Sequence, residues 1–124
     1  MGRKNSKCYD VERKLRAYRA LALEERLLQP QLERLHRAVD LLPTLSADEE
    51  SLRNRIGEIY RAREEILVIL DKLHDAERRL LTAYYVEGLS WEQASEYYPC
   101  SPRWVYANKD RILRDLDQIV RKEV

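Results

Sequence analysis

Residues 80–116 read LLTAYYVEGLSWEQASEYYPCSPRWVYANKDRILRDL. Three segments with apolar residues at helical spacing are separated by two short breaks, Glu87-Gly88-Leu89 and Pro99-Cys100. A serine stands just after each break, Ser90 and Ser101. Serine at a helix start accepts a bond from a backbone N–H that has no partner inside the helix. Ser90 has Gln93 three residues on, which completes a capping box. Ser101 precedes Pro102, and proline suits the first helical position because its missing N–H would have had no partner there. The stretch predicts a helix, a turn, a short helix, a tight turn and a longer helix. That order is the helix-turn-helix layout, whose second helix is shaped for the DNA major groove.

Composition sets the frame around it. One hundred and twenty-four residues suit one compact domain, or a small domain with a helical extension. Phe is absent, so Leu, Ile and Tyr must fill the core. Three glycines and four prolines leave little material for turns, and the abundance of Leu, Arg, Glu and Ala predicts an all-α chain. Net charge is +1, so the chain is not a general polycation. Residues 1–40 carry ten Lys/Arg and six Asp/Glu, a balance of +4. Residues 41–76 carry five and eight, a balance of −3, and residues 77–124 carry eight of each. A neutral DNA-binding half must depend on where its charges point. Cys8 and Cys100 are far apart and lack metal-ligand spacing, as reduced cytosolic thiols would. His36 and His74 are isolated. No metal and no cofactor is expected. No apolar run is long enough to span a membrane, and the polar N-terminus lacks a signal-peptide pattern. The expected location is the cytoplasm.

Working backward along the chain, residues 1–7 have no periodicity and are expected to fray, or to track a phosphate backbone as a basic arm. From Asp10 the pattern turns helical, with Val11, Leu15, Tyr18, Ala22 and Leu28 on the buried side. Pro30 predicts a kink or break near Leu28-Gln29. Because the stripe resumes through Leu32, Leu35, Val39 and Leu42, one long kinked helix is expected. Pro43-Thr44-Leu45 should end it, and Ser46 with Glu49 reads as a second capping box. The next helix is expected to run to Leu73 on a seam of Leu52, Ile56, Ile59, Arg63, Ile66 and Leu70. Steps of four and three are coiled-coil spacing, and Arg63 interrupts the apolar run where it can fix register. Two stripes joined by a short loop imply an antiparallel hairpin over residues 1–74, with those six residues as the oligomerisation seam. Leu67 and Ile69 widen the second stripe. Either a second copy or the C-terminal module must cover them. Asp75 is a plausible cap for a helix over residues 76–86, which opens a module spanning residues 75–124.

Ser-Trp-Glu-Gln-Ala-Ser-Glu-Tyr-Tyr from Ser90, then Ser101, Val105-Tyr106 and Arg111-Ile112-Leu113-Arg114-Asp115-Leu116, resemble region 4 of sigma-70-type factors. The likeness is greatest to small phage late transcription regulators of the ArpU and RinA kind, and covers roughly residues 77–120. The resemblance implies a sequence-specific DNA-binding transcription regulator of phage or mobile-element origin. In it, Arg103, Tyr106 and Ala107 match positions that face DNA.

The residues themselves point the same way. In helix 101–116, Val105, Ile112, Leu113 and Leu116 share a face that should pack on Leu80, Leu81, Tyr84, Leu89 and Ala94. The opposite face presents Arg103, Tyr106 and Ala107 as base readers, since guanidinium can bond guanine O6 and N7 together and a methyl can touch thymine. Ser90, Ser101, Lys109, Arg111 and Arg114 are the phosphate candidates. Arg111 and Arg114 could instead pair with neighbouring aspartates along the helix. Trp91 is expected to pack, Trp104 to pack or to flank DNA, and Tyr84, Tyr85, Tyr97 and Tyr98 to stand in for phenylalanine. The expected partners are double-stranded DNA and a second copy of the chain, a dimer before a larger ring. RNA polymerase is a further candidate. A small terminase-type packaging subunit and a polymerase-binding interaction module are the other readings. No nucleophile–base pair, glycine-rich phosphate loop or metal cluster suggests an enzyme.

Overall fold

The structure is a computed structural model that describes residues 10–97 and 101–122, without the side chain of Tyr97. The basic arm, Cys8, Tyr98 and the Pro99-Cys100 break lie outside the described residues. The described residues are all-helical, with no strand. Five α-helices follow one another: α1 Asp10–Val39, α2 Ser46–Leu70, α3 Asp75–Leu81, α4 Trp91–Ala94 and α5 Pro102–Lys122. A π-helical segment Thr82–Val86 continues α3, and 3-10 turns occupy Pro43–Leu45 and Ser95–Tyr97.

Helix α1 runs through Pro30 as one helix, as the unbroken stripe predicts. It ends at Val39, before the expected proline stop. Pro43 instead opens the 3-10 turn at a position where its missing N–H costs nothing. This changes the role of Ser46. Its backbone is already helical, φ −63° and ψ −32°, and its N–H bonds Pro43 O. An N-cap needs an extended backbone, so the expected capping box at Ser46 does not form. Glu49 turns to other partners: its Oε2 accepts from Arg53 Nη2 and from His36 Nδ1, both at 2.7 Å. At the far end, α2 stops at Leu70 rather than Leu73, and Lys72 and Leu73 close tight turns on Ile69 and Leu70. Asp75 is the first residue of α3, not its cap. The capping position is His74, with no side-chain bond, while Asp75 pairs with Arg78 one turn on.

The chain divides into two compact units, Ala20–Glu65 and a second made of Met1–Arg19 with Ile66–Val124. Within the first unit, ion pairs link the two long helices: Arg55 with Glu24 through two bonds of 2.7 Å, Arg63 with Glu25, and His36 with Glu49. Arg63, the interruption in the apolar stripe, thus has an acid opposite it. Ile59 is fully buried.

The second unit holds most of the core. Val11, Leu15 and Tyr18 of α1 are buried, as are Ile66, Ile69 and Leu70 of α2. So are Leu80 and Leu81 of α3, Ala94 of α4, and Val105, Ile112, Leu113 and Leu116 of α5. Each fully buried leucine or isoleucine contributes about 1.5–3 kcal/mol. Ile69, whose cover was open in the sequence, lines a shallow apolar hollow with Val11, Asp117 and Val120. The C-terminal residues therefore cover that side of α2. Two buried acids tie α1 into this unit. Asp117 accepts from the Val11 N–H at 3.3 Å and from Arg121 Nε at 2.7 Å. Glu12 accepts from Arg16 at 2.7 Å and from the Tyr85 hydroxyl at 3.3 Å. Burial, and then the Glu12 charge, push the Tyr85 phenol well above its ordinary value.

Candidate nucleic-acid interface

The approach to α4 is made by Gly88. The π-helical segment ends with the Glu87 N–H on Thr82 O and the Leu89 N–H on Ala83 O, both at 3.0 Å. Gly88 takes φ +80°, the left-handed region that favours glycine. Ser90 then starts α4 with the capping box predicted from sequence. Its Oγ accepts from the Gln93 N–H at 3.1 Å, and its own N–H bonds Gln93 Oε1 at 3.0 Å. Trp91, the next residue, is buried and stacks on Tyr84 with ring centroids 3.7 Å apart and planes 9° apart. Tyr85 meets it edge-on at 6.0 Å. The tryptophan is a lid on the core, as its place on a short helix suggests.

Helix α5 starts as its sequence implies. Ser101 Oγ accepts from the Trp104 N–H at 3.2 Å, and Pro102 is the first helical residue. The apolar face Val105, Ile112, Leu113, Leu116 is fully inside. Tyr84 and Leu89, the expected contacts at its edge, are half-buried. The helix continues six residues past Leu116, to Lys122.

The opposite face carries the three base-reading candidates. Arg103, Tyr106 and Ala107 are all exposed. Among the described residues Arg103 has no ion-pair or hydrogen-bond partner. Tyr106 is engaged: its hydroxyl donates to Glu92 Oε2 at 2.7 Å, which joins α5 to α4. That bond lowers the Glu92 carboxyl below its ordinary value and raises the Tyr106 phenol. To donate to a base or a phosphate, Tyr106 must exchange this acceptor for another.

The phosphate candidates are more occupied than their residue types suggest. Ser90 and Ser101 are exposed, and both hydroxyl oxygens already cap helices. Arg111 lies 3.2 Å from Asp115 and 4.0 Å from Glu77. Arg114 lies 3.6 Å from Asp115. Lys109 lies 3.5 Å from Asp110 and 5.8 Å from the Trp91 ring centre. For Arg111 and Arg114, pairing along the helix surface, the alternative raised by the sequence, is the arrangement found. Half-buried Trp104 accepts from Asn108 Nδ2 through its carbonyl at 2.9 Å.

Of the expected seam, Ile59, Ile66 and Leu70 are buried inside one chain. Leu52, Ile56 and Arg63 are half-buried, and Arg63 is paired with Glu25. The apolar surface of the three buried residues is already covered. Large exposed hydrophobic residues lie elsewhere: Leu23 and Leu27, one turn apart on α1, are 53% and 59% exposed, and Tyr60 is 58% exposed. Sequence pattern alone could not separate these from the covered stripe, because both sets sit at helical spacing.

Sequence reasoning also passed over Arg16 and Arg19. With Tyr84, Gly88, Ser90 and Gln93 they line an open concavity of about 530 Å³ at the start of α4. The only signal for them was the excess of basic residues before position 40. Among the described residues no group of three or more His, Cys, Asp or Glu could hold a metal ion, and no helix is long and apolar enough to cross a membrane.

A short capped helix followed by a long amphipathic one, exposing an arginine near its start, is thus the candidate interface. Comparison with family models, with curated proteins and with solved structures found no match.

Proposed function

We propose that this chain is a sequence-specific DNA-binding transcription regulator that reads the major groove with α5, α4 being the preceding helix of a helix-turn-helix. The observation that carries this reading is the placement of Arg103. It sits in the first turn of a 21-residue helix whose other face is anchored in the core, and it has no intramolecular partner among the described residues. The first turns of a recognition helix are the part that reaches base edges. The resemblance of residues 77–120 to sigma region 4 and to phage late regulators supports the same reading.

In this proposal α1 and α2 form an antiparallel hairpin. The pairs Glu24–Arg55 and His36–Glu49 support it, because the sequence separation shrinks toward the connecting turn. One helix-turn-helix contacts only a few base pairs, so two copies on adjacent half-sites gain affinity and specificity. Exposed Leu23 and Leu27 are better seats for a second copy than the covered seam residues.

The test is to select a site from random duplex DNA and compare the wild type with Arg103→Ala. The variant is expected to lose about 1–3 kcal/mol on the selected site and to relax preference at one position. Unchanged affinity and preference would remove Arg103 from this role.

One observation favours a second reading, a polymerase-binding module that does not grip DNA. Lys109, Arg111 and Arg114 all face carboxylates of their own chain. Absence of duplex binding at low salt, with polymerase retained in a pull-down, would select it.

A further inference from the structure

The cations expected to hold phosphates on α5 are turned toward acids, which leaves the question of what neutralises the DNA backbone. The concavity at the start of α4 offers an answer. Arg19, on α1, reaches the turn so closely that a side-chain carbon on Gly88 would lie 2.6 Å from its Cζ. The absence of a side chain at Gly88 therefore makes the room in which this guanidinium sits. Arg19 has no acceptor among the described residues. Arg16, beside it, bonds Glu12 through Nε and Nη2 only, which leaves Nη1 available. Gln93 uses its Oε1 on the Ser90 N–H, so its amide N–H groups remain as donors on the same rim. No acid is among the residues that line the hollow, and Glu12, the partner of Arg16, is buried and also bonded by Tyr85. A hollow whose lining carries two guanidiniums and a side-chain amide, and no carboxylate, suits a singly charged oxyanion.

We propose that this hollow is a backbone-phosphate clamp: Arg19, assisted by Arg16 and Gln93, takes one phosphodiester of the duplex that α5 reads. The inference rests on the DNA-binding reading above. In a helix-turn-helix the helix preceding the reader crosses the DNA backbone, and the hollow lies at the start of that helix. The N-terminal helix thus contributes directly to binding, beyond any part in oligomerisation.

The test measures affinity for a 30-base-pair duplex carrying the selected site, and for a scrambled duplex, across a range of salt. Wild type, Arg19→Ala and Arg19→Lys are compared, with circular dichroism to verify folding. Each phosphate neutralised contributes about −0.9 to the slope of log affinity against log salt. Arg19→Ala is expected to make the slope shallower by about one and to weaken both duplexes by the same factor, while Arg19→Lys keeps the slope. A slope unchanged by Arg19→Ala, in a wild type that binds steeply, overturns the clamp and leaves the DNA reading intact. A weakening confined to the selected site also overturns it, since that is the behaviour of a base contact. A titration with inorganic phosphate separates the anion's source: Arg19-dependent phosphate binding with an unaltered DNA slope would mark a small-anion pocket and overturn the clamp. Failure of the wild type to bind any duplex at low salt overturns the parent reading and the clamp together.

Discussion

Replacing Asp117 with alanine tests the contact that joins the two ends of the second unit. Asp117 is 6% exposed on α5, and it accepts the Val11 N–H from a residue 106 positions earlier. Val11 lies in the first turn of α1, where four N–H groups have no partner inside the helix. The carboxylate is thus a cap supplied from the far end of the chain, and its charge suits the helix N-terminus. Loss of a capping acceptor costs about 0.5–2 kcal/mol, and leaving a buried donor unsatisfied costs about 1–3 kcal/mol. These overlap, because both describe the same N–H. The 3.3 Å length places the bond toward the weak end of its range. The second bond, to Arg121, adds little, since that side chain is mostly exposed. The expected loss for Asp117→Ala is therefore about 2 kcal/mol, or roughly 8 °C in Tm for a chain of this size. Asp117→Asn keeps an oxygen for the N–H and should lose about half as much. Thermal unfolding followed by circular dichroism at 222 nm reads both. An alanine variant as stable as wild type would show that α1 is not capped from α5. Equal losses for alanine and asparagine would show that charge, not the capping bond, is what matters.

Three further outcomes follow from the same structure. Ser90→Ala removes the acceptor for the Gln93 N–H and should lower stability by about 1 kcal/mol in urea titration, whereas Ser90→Asp should retain most of it. Gly88→Ala forces a side chain into φ +80°, at about 1–2 kcal/mol, and displaces the flexible end of Arg19; a neutral result would show that the turn does not need a left-handed residue. Glu24 and Glu49 titrate below the ordinary value of 4.5, Glu24 through its bond to Arg55 and Glu49 through those to Arg53 and His36. A depressed carboxyl adds stability above its unfolded pKa that is lost as pH falls through the folded one. Melting temperature should therefore drop below about pH 4.5, and less steeply in Arg55→Gln; identical acid profiles would deny Arg55 its part.

The local signals in the sequence were the reliable ones. The Ser90–Gln93 box, the Ser101-Pro102 start and the buried stripe of α5 each depend on residues within about three turns of one another. Their physics is complete at short range. The capping box expected at Ser46 failed for a reason also local but easily outweighed: Pro43 opens a turn three residues sooner and leaves Ser46 helical. Long-range partners were not legible. Nothing near Asp117 marks it as the cap of a helix 106 residues away. Nothing near Ile69 says that α5 and α1, not a second chain, lie beside it.

That distinction bears directly on how the interface is to be judged. Residue type suggested that Lys109, Arg111 and Arg114 would grip phosphate, yet each sits within 4 Å of a carboxylate. An exposed ion pair is worth at most about 1 kcal/mol, so a phosphate could draw these cations away, but each exchange sacrifices part of what it gains. Among the described residues Arg19 and Arg103 have no such partner to surrender. On the DNA-binding proposal, cations without an intramolecular acid are the ones that give up nothing to a phosphate, and Arg19 and Arg103 lie on different helices, α1 and α5. A protein that gripped DNA through this pair would need both residues in the same compact unit. Arg19 closes the N-terminal segment of that unit, and the Asp117–Val11 and Glu12–Tyr85 bonds fasten that segment to the residues that carry Arg103.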